Sequence, residues 1–340
     1  GRFSPKPAAP LFLHNFLFPQ QISSSLTDCY LVETQIPDWL LELIDNEQVT
    51  DILLSESEHL VDYGNGLVRL TGSQSSEAEL STIARELIEL GGRRLDLANP
   101  FADVSLPGGL RVHAVLKSGC SGQTLISIRL HQAKTFSLEE LFCSLSASPT
   151  QQTIIRQIAE SGDSFLISGP TGSGKTTLLR TMLSGTNERV IAVEDVTELA
   201  GSNIVCLQSR SINVEGQGGI TLDQLVREAL RMRPDRIVVG EVRGLELMAM
   251  LQALNTGHRG ATTIHANNLF QVPQRLSTIK ANLAISDTAF FKMVAAAFDW
   301  VIALEVQPGR RAVSGIGKFA IEAGELVVQE YQPRQKLALA

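Results

Sequence analysis

The sequence predicts an α/β protein of two domains, in which a smaller N-terminal α+β domain precedes a larger domain with a parallel sheet covered by helices. The chain has 340 residues, enough for about two domains of ~150 residues each. Helix-like and strand-like segments are mixed over residues 28–131. From residue 150 onward they alternate, which is typical of parallel βαβ folds.

The composition excludes several classes of protein. Hydrophobic residues make up 44% and charged residues 19% of the chain, as in ordinary globular proteins. The net charge of −7 argues against a general nucleic-acid coat, which needs a basic surface. The four cysteines are too far apart for a zinc knuckle or a redox pair, so we expect a reducing compartment. No apolar run reaches the ~18 residues of a membrane-spanning helix.

The N-terminal part is expected to begin with a flexible lead-in over residues 1–27, which is rich in proline and serine. A capping box at Ser76–Glu79 predicts the start of an amphipathic helix that ends at Gly91. A turn at residues 63–66 is expected to join two strands. The other expected elements of the domain at 28–131 are a helix from Asp38 and strands at 51–54, 67–70, 111–116 and 124–130.

Residues 132–149 read as a linker with a short helix, and residues 150–340 as the second domain. In that domain the pattern predicts helices that alternate with buried strands. The expected helices cover 154–160, 175–184, 222–230 and 246–255, and the expected strands cover 164–168, 190–193, 236–241, 320–321 and 326–329.

The strongest motif is GPTGSGKT at residues 169–176, which matches GxxxxGK[ST] between an apolar strand and a helix. Its glycines allow backbone N–H groups to surround a β-phosphate. Lys175 is expected to reach the β- and γ-phosphates, and the Thr176 hydroxyl to coordinate Mg²⁺. The sequence therefore predicts ATP and Mg²⁺ as ligands. The predicted nucleotide-binding residues are Gly169, Pro170, Thr171, Gly172, Ser173, Gly174, Lys175, Thr176 and Thr177.

Two buried strands end in carboxylates. Glu194 follows the run at 190–193, and Glu241 follows the run at 237–240. In nucleotide-binding parallel sheets the chemistry lies at the carboxyl ends of the strands. We interpret Glu194 as the base that orients water and Glu241 as the acid on the metal side. The spacing also allows the reverse assignment.

The chain resembles the secretion ATPases of the type II/type IV superfamily over residues 30–306. The resemblance rests on five segments in this order: GPTGSGKTT, VEDVTEL, ALRMRPDRIVVGEVRG, LNTGH and TTIHAN. The most similar branch is the CpaF-like one, which powers tight-adherence (Flp) pili and related conjugal-transfer systems. This resemblance implies a hexameric ring of subunits, each with a PAS-like N-terminal domain and a RecA-like motor domain.

The resemblance also implies roles for single residues. It places Glu194 in the Asp box, Glu241 in the Walker B motif and His265 in the His box, all three as catalytic residues beside Lys175. Arg111 and Arg129 resemble the family's phosphate-reaching arginine fingers, with Arg93 and Arg94 as weaker candidates. The run from 257 to 265 is one residue shorter than is usual in the family.

The expected function is that of a Mg²⁺-dependent ATPase that drives pilus assembly or secretion. Its expected partner is an inner-membrane platform protein, and its expected place is the cytoplasmic face of that membrane. Two alternatives stay open. A nucleic-acid motor is disfavoured by the acidic balance and by 5% aromatic residues, and stimulation by single-stranded DNA would reveal it. A low-turnover, nucleotide-gated scaffold is distinguished by slow phosphate release.

Overall fold

The computed structural model describes residues 36–331, apart from 65, 72–73, 107–108, 131–135, 200, 211–217, 282 and 308–309. The predicted lead-in at 1–27 lies outside the described residues. Two compact units divide at Leu130 and His131, with Gly109–Arg111 counted with the second unit.

The first unit is built on a six-stranded sheet with the strand order β3-β2-β1-β6-β5-β4. Its elements are α1 (Asp38–Ile44), β1 (Asp51–Leu54), β2 (His59–Asp62), β3 (Leu67–Arg69), α2 (Glu77–Leu90), β4 (Phe101–Leu106), β5 (Leu110–Val115) and β6 (Leu125–Leu130). The capping box of α2 is confirmed, because Ser76 N donates to Glu79 Oε2 at 2.7 Å and Glu79 N donates to Ser76 Oγ at 3.3 Å. These bonds satisfy backbone donors that the first turn of a helix leaves without partners.

The expected connection between β1 and β3 is wrong, because β2 lies between them in the chain and pairs with both. The predicted turn at 63–66 therefore joins β2 to β3. Asp62 closes it, since Asp62 Oδ1 accepts from Gly64 N at 2.7 Å and from Gly66 N at 2.9 Å. Strand β4 was also missing from the prediction. The likeness of this unit to a PAS domain stays a prediction.

The second unit contains a mixed sheet in which β10-β9-β11-β12-β8-β13 run parallel and β14 and β15 continue antiparallel. Its elements are α3 (Leu138–Ser144), β7 (Leu145–Ser146), α4 (Pro149–Ser161), β8 (Phe165–Ser168), α5 (Lys175–Ser184), β9 (Val190–Glu194), β10 (Ile204–Gln208), α6 (Leu222–Ala229), β11 (Arg236–Val239), α7 (Glu246–Asn255), β12 (Arg259–Ile264), α8 (Val272–Lys280), α9 (Asp287–Ala297), β13 (Trp300–Gln307), β14 (Arg310–Glu322) and β15 (Glu325–Glu330). The predicted alternation of helices and parallel strands is confirmed.

Helices cover both faces of this sheet because alternate strand residues point to opposite sides. Ile191 and Val193 belong to a core with Leu247 of α7. Val190 and Ala192 belong to a second core with Leu178 of α5. Strands buried on both faces read as continuous apolar runs, which explains why they could be predicted. Within the described ranges, no helix is long and apolar enough to cross a membrane.

A buried ion pair joins β11 and β12 to the loop that precedes β9, at the amino-terminal edge of the parallel strands. Arg236 is 1% exposed, and its Nε donates to Glu188 Oε2 at 2.6 Å. Arg259 Nη1 lies 3.0 Å from Glu188 Oε1. Burial raises the pKa of Glu188, but the hydrogen bonds and charges of the two arginines outweigh burial and hold the pKa below its ordinary value.

Replacing Glu188 by alanine is expected to lower the free energy of unfolding by roughly 3–5 kcal/mol, because a buried guanidinium then loses its counter-charge. Urea denaturation followed by circular dichroism measures the loss. Glu325→Ala, at an exposed strand end, is the control and should change stability by less than about 0.5 kcal/mol. Equal effects of the two substitutions would contradict a stabilising role for the Glu188 pair.

Candidate functional site

The candidate site lies at the carboxyl edge of the parallel sheet, where its residues follow or end four neighbouring strands, β9, β11, β12 and β8. Strand β12 lies between β8 and β11 and is parallel to both. The chain therefore leaves β8 into the 169–174 loop, leaves β11 into Glu241 and leaves β12 into His265, all on the same edge. This order places His265 between the loop and Glu241.

The loop after β8 is shaped by its glycines. A Cβ on Gly169 would lie 2.5 Å from Ser173 Oγ and 2.8 Å from the Leu304 carbonyl oxygen, so only glycine fits there. Gly174 has φ 89° and begins α5, a backbone conformation that favours glycine. Ser173 Oγ is buried and has no hydrogen-bond partner among the described residues. A loop that ends at free helix N–H groups, with an unpaired hydroxyl inside it, fits the phosphates of a nucleotide.

Lys175 is held inside this loop. Lys175 is 7% exposed, and its Nζ donates to the carbonyl oxygens of Gly169 and Pro170 at 2.9 Å each. Burial lowers the pKa of Lys175, and Arg243 adds to the shift while the Glu241 carboxylate opposes it. The ammonium group thus lies where a phosphate oxygen could replace the loop carbonyls as its partner.

His265 joins Lys175 to Glu241. Its Nδ1 lies 3.4 Å from Lys175 Nζ, and its Nε2 lies 3.1 Å from Glu241 Oε1. Burial and the Lys175 ammonium lower the pKa of His265, against the opposing Glu241 carboxylate. A neutral ring with its proton on Nε2 satisfies both contacts, because Nε2 donates to the carboxylate and Nδ1 accepts from the ammonium.

Arg243 donates two hydrogen bonds to the Glu241 carboxylate. Arg243 Nε donates to Oε1 at 2.8 Å, and Nη2 donates to Oε2 at 2.7 Å. Burial raises the pKa of Glu241, but the hydrogen bonds and charge of Arg243, together with the neighbouring His265 and the charge of Lys175, bring the pKa below its ordinary value. The Glu241 side chain is therefore a carboxylate at neutral pH.

Glu194 has the opposite electrostatic character. It is 5% exposed at the end of β9. Burial raises its pKa to about 7, although its Oε2 accepts from Leu199 N at 3.1 Å and Glu198 N at 3.2 Å. Its carboxyl group lies against Gly240, where a Cβ would come within 2.9 Å of Glu194 Cγ and 3.0 Å of Oε1. A carboxyl group with a pKa near neutrality is suited to accept a proton from water.

The residues predicted for Mg²⁺ fit the way this ion is bound. Thr176 is half-buried in the first turn of α5, and Glu241 is ionised. Mg²⁺ is usually held by one or two protein oxygens together with substrate phosphates and water. The described part of the chain contains no cluster of three or more His, Cys, Asp and Glu side chains that could hold a metal ion.

The two main candidate arginine fingers, Arg111 and Arg129, lie in the N-terminal sheet. Arg111 is exposed on β5. Arg129 on β6 pairs through its Nε with Asp51 Oδ1 at 2.8 Å. Arg94 pairs with Asp96 at 2.8 Å, outside any strand. The action of these arginines on a nucleotide stays a prediction.

Sequence reasoning missed two features of the site. Arg243 was noted only as part of a motif, and its two hydrogen bonds to Glu241 were not predicted. Glu246 was not singled out at all, yet it is 7% exposed and its Oε1 accepts from Gly244 N at 2.6 Å and from Arg243 N. An acidic residue in the first turn of a helix is common, so only its burial distinguishes Glu246.

A cavity of about 890 Å³ lies at the opposite, amino-terminal edge of the strands. Its lining includes Thr181, Glu188, Asp235 and Arg259, and none of the residues of the phosphate loop. The chemistry of the motifs therefore lies outside this cavity.

Comparisons with known proteins agree with this geometry. Residues 39–308 match the family described as "Type II/IV secretion system protein". A Mycobacterium tuberculosis protein named for conjugal transfer is 40% identical over 287 residues, covering 81% of this chain and 82% of the relative. The conjugal transfer protein TrbB of Rhizobium radiobacter is 28% identical over 285 residues, covering 81% and 84%.

Two solved structures show the same fold. The pilus retraction motor PilT with bound ADP has a TM-score of 0.62 and 19% identity, covering 88% of this chain and 84% of that one. The Legionella pneumophila ATPase DotB has a TM-score of 0.55 and 21% identity, covering 86% and 79%. At this level of identity the likeness concerns the fold.

Substitution of Gly240 by alanine is expected to displace the Glu194 side chain and to destabilise the protein by about 1–3 kcal/mol, because the new methyl group overlaps Glu194. Gly185→Ala is the matched control, since its φ is −83° and nothing lies within 4 Å of the added Cβ. Urea denaturation compares the two. A Gly240→Ala protein as stable as the control would show that Glu194 does not lie against this strand end.

Proposed function

The chain belongs to the type II/IV secretion system protein family, and from this premise we propose that it is an ATPase whose hydrolysis drives a secretion or pilus machine. One observation carries the proposal: Lys175, His265 and Glu241 form a continuous chain of contacts at the mouth of the phosphate loop. A glycine-rich surface turn without a ligand would not require a buried lysine that contacts a histidine, which in turn contacts a carboxylate.

In the proposed reaction, residues 169–177 surround the phosphates of ATP. Lys175 exchanges its loop carbonyls for phosphate oxygens and balances their charge. Thr176 and Glu241 would hold Mg²⁺, which when bound supplies further positive charge against the phosphates. His265 contacts both Lys175 and Glu241, so it keeps the ammonium and the carboxylate in a fixed relation.

Glu194 is the proposed base. With a pKa of about 7 it can accept a proton from the attacking water at physiological pH. Glu241 is ionised at physiological pH, which suits a residue that would help to hold Mg²⁺. Arg111 and Arg129 are the proposed arginine fingers, which neutralise charge on the γ-phosphoryl group.

The proposed cellular role is that of a homo-hexamer on the cytoplasmic face of the inner membrane. Each subunit would combine a PAS-like domain with a RecA-like motor domain and act on an inner-membrane platform protein, without direct contact to nucleic acid. The motifs support a CpaF-like tight-adherence pilus. The relatives named for conjugal transfer support a type IV system. In this proposal the pilus and the type IV system would be driven by the same ATPase reaction.

Lys175→Ala is expected to reduce ATP hydrolysis by about 100-fold or more, because it removes the only side-chain cation proposed inside the loop. Steady-state release of phosphate measures the rate. Lys292→Ala, on the exposed face of α9, is the matched control and should hydrolyse ATP normally. Normal turnover by the Lys175→Ala protein would refute the assignment of the site, and absence of turnover in the unchanged chain would refute the ATPase proposal.

The hydrolysis rate is expected to rise with pH through about 7, the pKa of Glu194, because only the ionised carboxylate can accept a proton. Glu194→Gln is expected to lose this dependence together with most of the activity. The same substitution should raise the free energy of unfolding by roughly 3 kcal/mol at pH 8. The sign follows because Glu194 ionises with a pKa of 4.5 when unfolded and about 7 when folded, so its ionisation lowers the free energy of unfolding progressively between these two pH values, and the full loss is present at pH 8. If Glu194→Gln were less stable than the unchanged chain at pH 8, the result would contradict a buried Glu194 carboxylate that destabilises the fold.

A further inference from the structure

Glu246 makes an unusual contact at the start of α7. Its carboxylate folds back over the preceding turn, and one oxygen, Oε1, accepts from both Arg243 N and Gly244 N, the latter at 2.6 Å. Leu245 stands at the N-cap of this helix without a side-chain cap bond and is 58% exposed. Arg243 and Gly244 precede the helix, and the buried carboxylate of Glu246 fixes their backbone by accepting from both N–H groups.

The other half of the same turn is fixed by β12. Thr263 Oγ1 donates to the Gly240 carbonyl at 2.7 Å, and Val242 N donates to the Thr263 carbonyl at 3.0 Å. The segment 240–244 is therefore held at both ends. Between these ends lie Glu241 and Arg243, joined to each other by two hydrogen bonds.

We propose that Glu246 is a positioning residue for ATP hydrolysis: by fixing the Arg243 backbone it sets the Arg243 grip on Glu241, and thereby the place of the Glu241 carboxylate beside His265. The inference rests on the proposed function. Glu246 itself touches neither Lys175 nor His265 through any contact in the described residues. It acts through Arg243.

Three substitutions separate this role from a simple charge effect at the helix end. Glu246→Gln keeps an oxygen at the Oε1 position, Glu246→Asp keeps the charge but withdraws it by one methylene, and Glu246→Ala removes both. We expect the Gln protein to retain most of kcat, and the Asp and Ala proteins to lose about 10- to 100-fold with little change in KM for ATP, as for a small misplacement of a catalytic group. If charge at the helix N-terminus were the cause, Asp would be active and Gln inactive, which would overturn the proposal.

A double-mutant cycle tests the route through Arg243. If Glu246 acts on Glu241 by way of Arg243, the Glu246→Ala, Arg243→Ala double variant should be no slower than Arg243→Ala alone. Losses of kcat that multiply would overturn the proposal, because two independent effects would then be present. Thermal melting identifies any variant that does not fold, and the Gln and Asp comparison then decides in place of Ala.

A readout without hydrolysis keeps the two proposals distinguishable. Amide hydrogen exchange measures how firmly the Glu246 carboxylate holds residues 243 and 244, because an N–H group exchanges only when its hydrogen bond opens. We expect the Arg243 and Gly244 amides, which donate to Glu246, to exchange about tenfold faster in Glu246→Asp than in the unchanged chain and at about the unchanged rate in Glu246→Gln. Unchanged exchange in both variants would overturn the positioning role. A chain that shows the faster exchange in Glu246→Asp but never hydrolyses ATP would refute the proposed function and leave the positional link intact.

Discussion

The position of β12 between β8 and β11 is the constraint on which the site depends. Neighbouring strands are about 4.8 Å apart, so the ends of β8 and β11 are separated by roughly 10 Å. Lys175 and Glu241 start from these two ends and do not form a direct ion pair in the described structure. His265 follows the intervening strand, and its two ring nitrogens reach 3.4 Å to Lys175 and 3.1 Å to Glu241. An imidazole suits this place because it can donate on one side and accept on the other while uncharged.

Two carboxylates at the same sheet edge have pKa values shifted in opposite directions because their surroundings differ. Glu241 has the guanidinium of Arg243, His265 and Lys175 around it, and these favour the charged form. Glu194 lies deeper, accepts mainly from backbone N–H groups and has burial as its largest influence. Such a separation is the usual sign of a base and an electrostatic partner that share one site. The sequence left the two roles interchangeable, and the environments support Glu194 as the base.

Local signals explain what could be predicted from the sequence, and long-range contacts explain what could not. The capping box at Ser76 and the phosphate loop at 169–176 are determined by nearby residues, and strands buried on both faces have an unmistakable apolar run. Strand β2 has only four residues and places His59 in the core, where the ring stacks on Trp39 at 5.0 Å between centroids. A histidine at a core position does not read as a strand residue. The buried role of Glu246 likewise depends on how α7 packs, which no local pattern encodes.

The energetics of the arginines bear on which of them could move during a catalytic cycle. Arg236 is fully buried against Glu188, and separating such a pair costs roughly 3–5 kcal/mol, so this arginine serves the fold. Arg129 has a side chain that is 59% exposed and pairs with Asp51 at the surface, a contact worth about 1 kcal/mol or less. Arg111 is exposed and has no ion pair within the described ranges. An arginine finger must leave its resting contacts each time a nucleotide binds, and only side chains held this weakly can do so without using a large part of the binding energy. This argument supports the proposed role of Arg111 and Arg129 and excludes Arg236 from it.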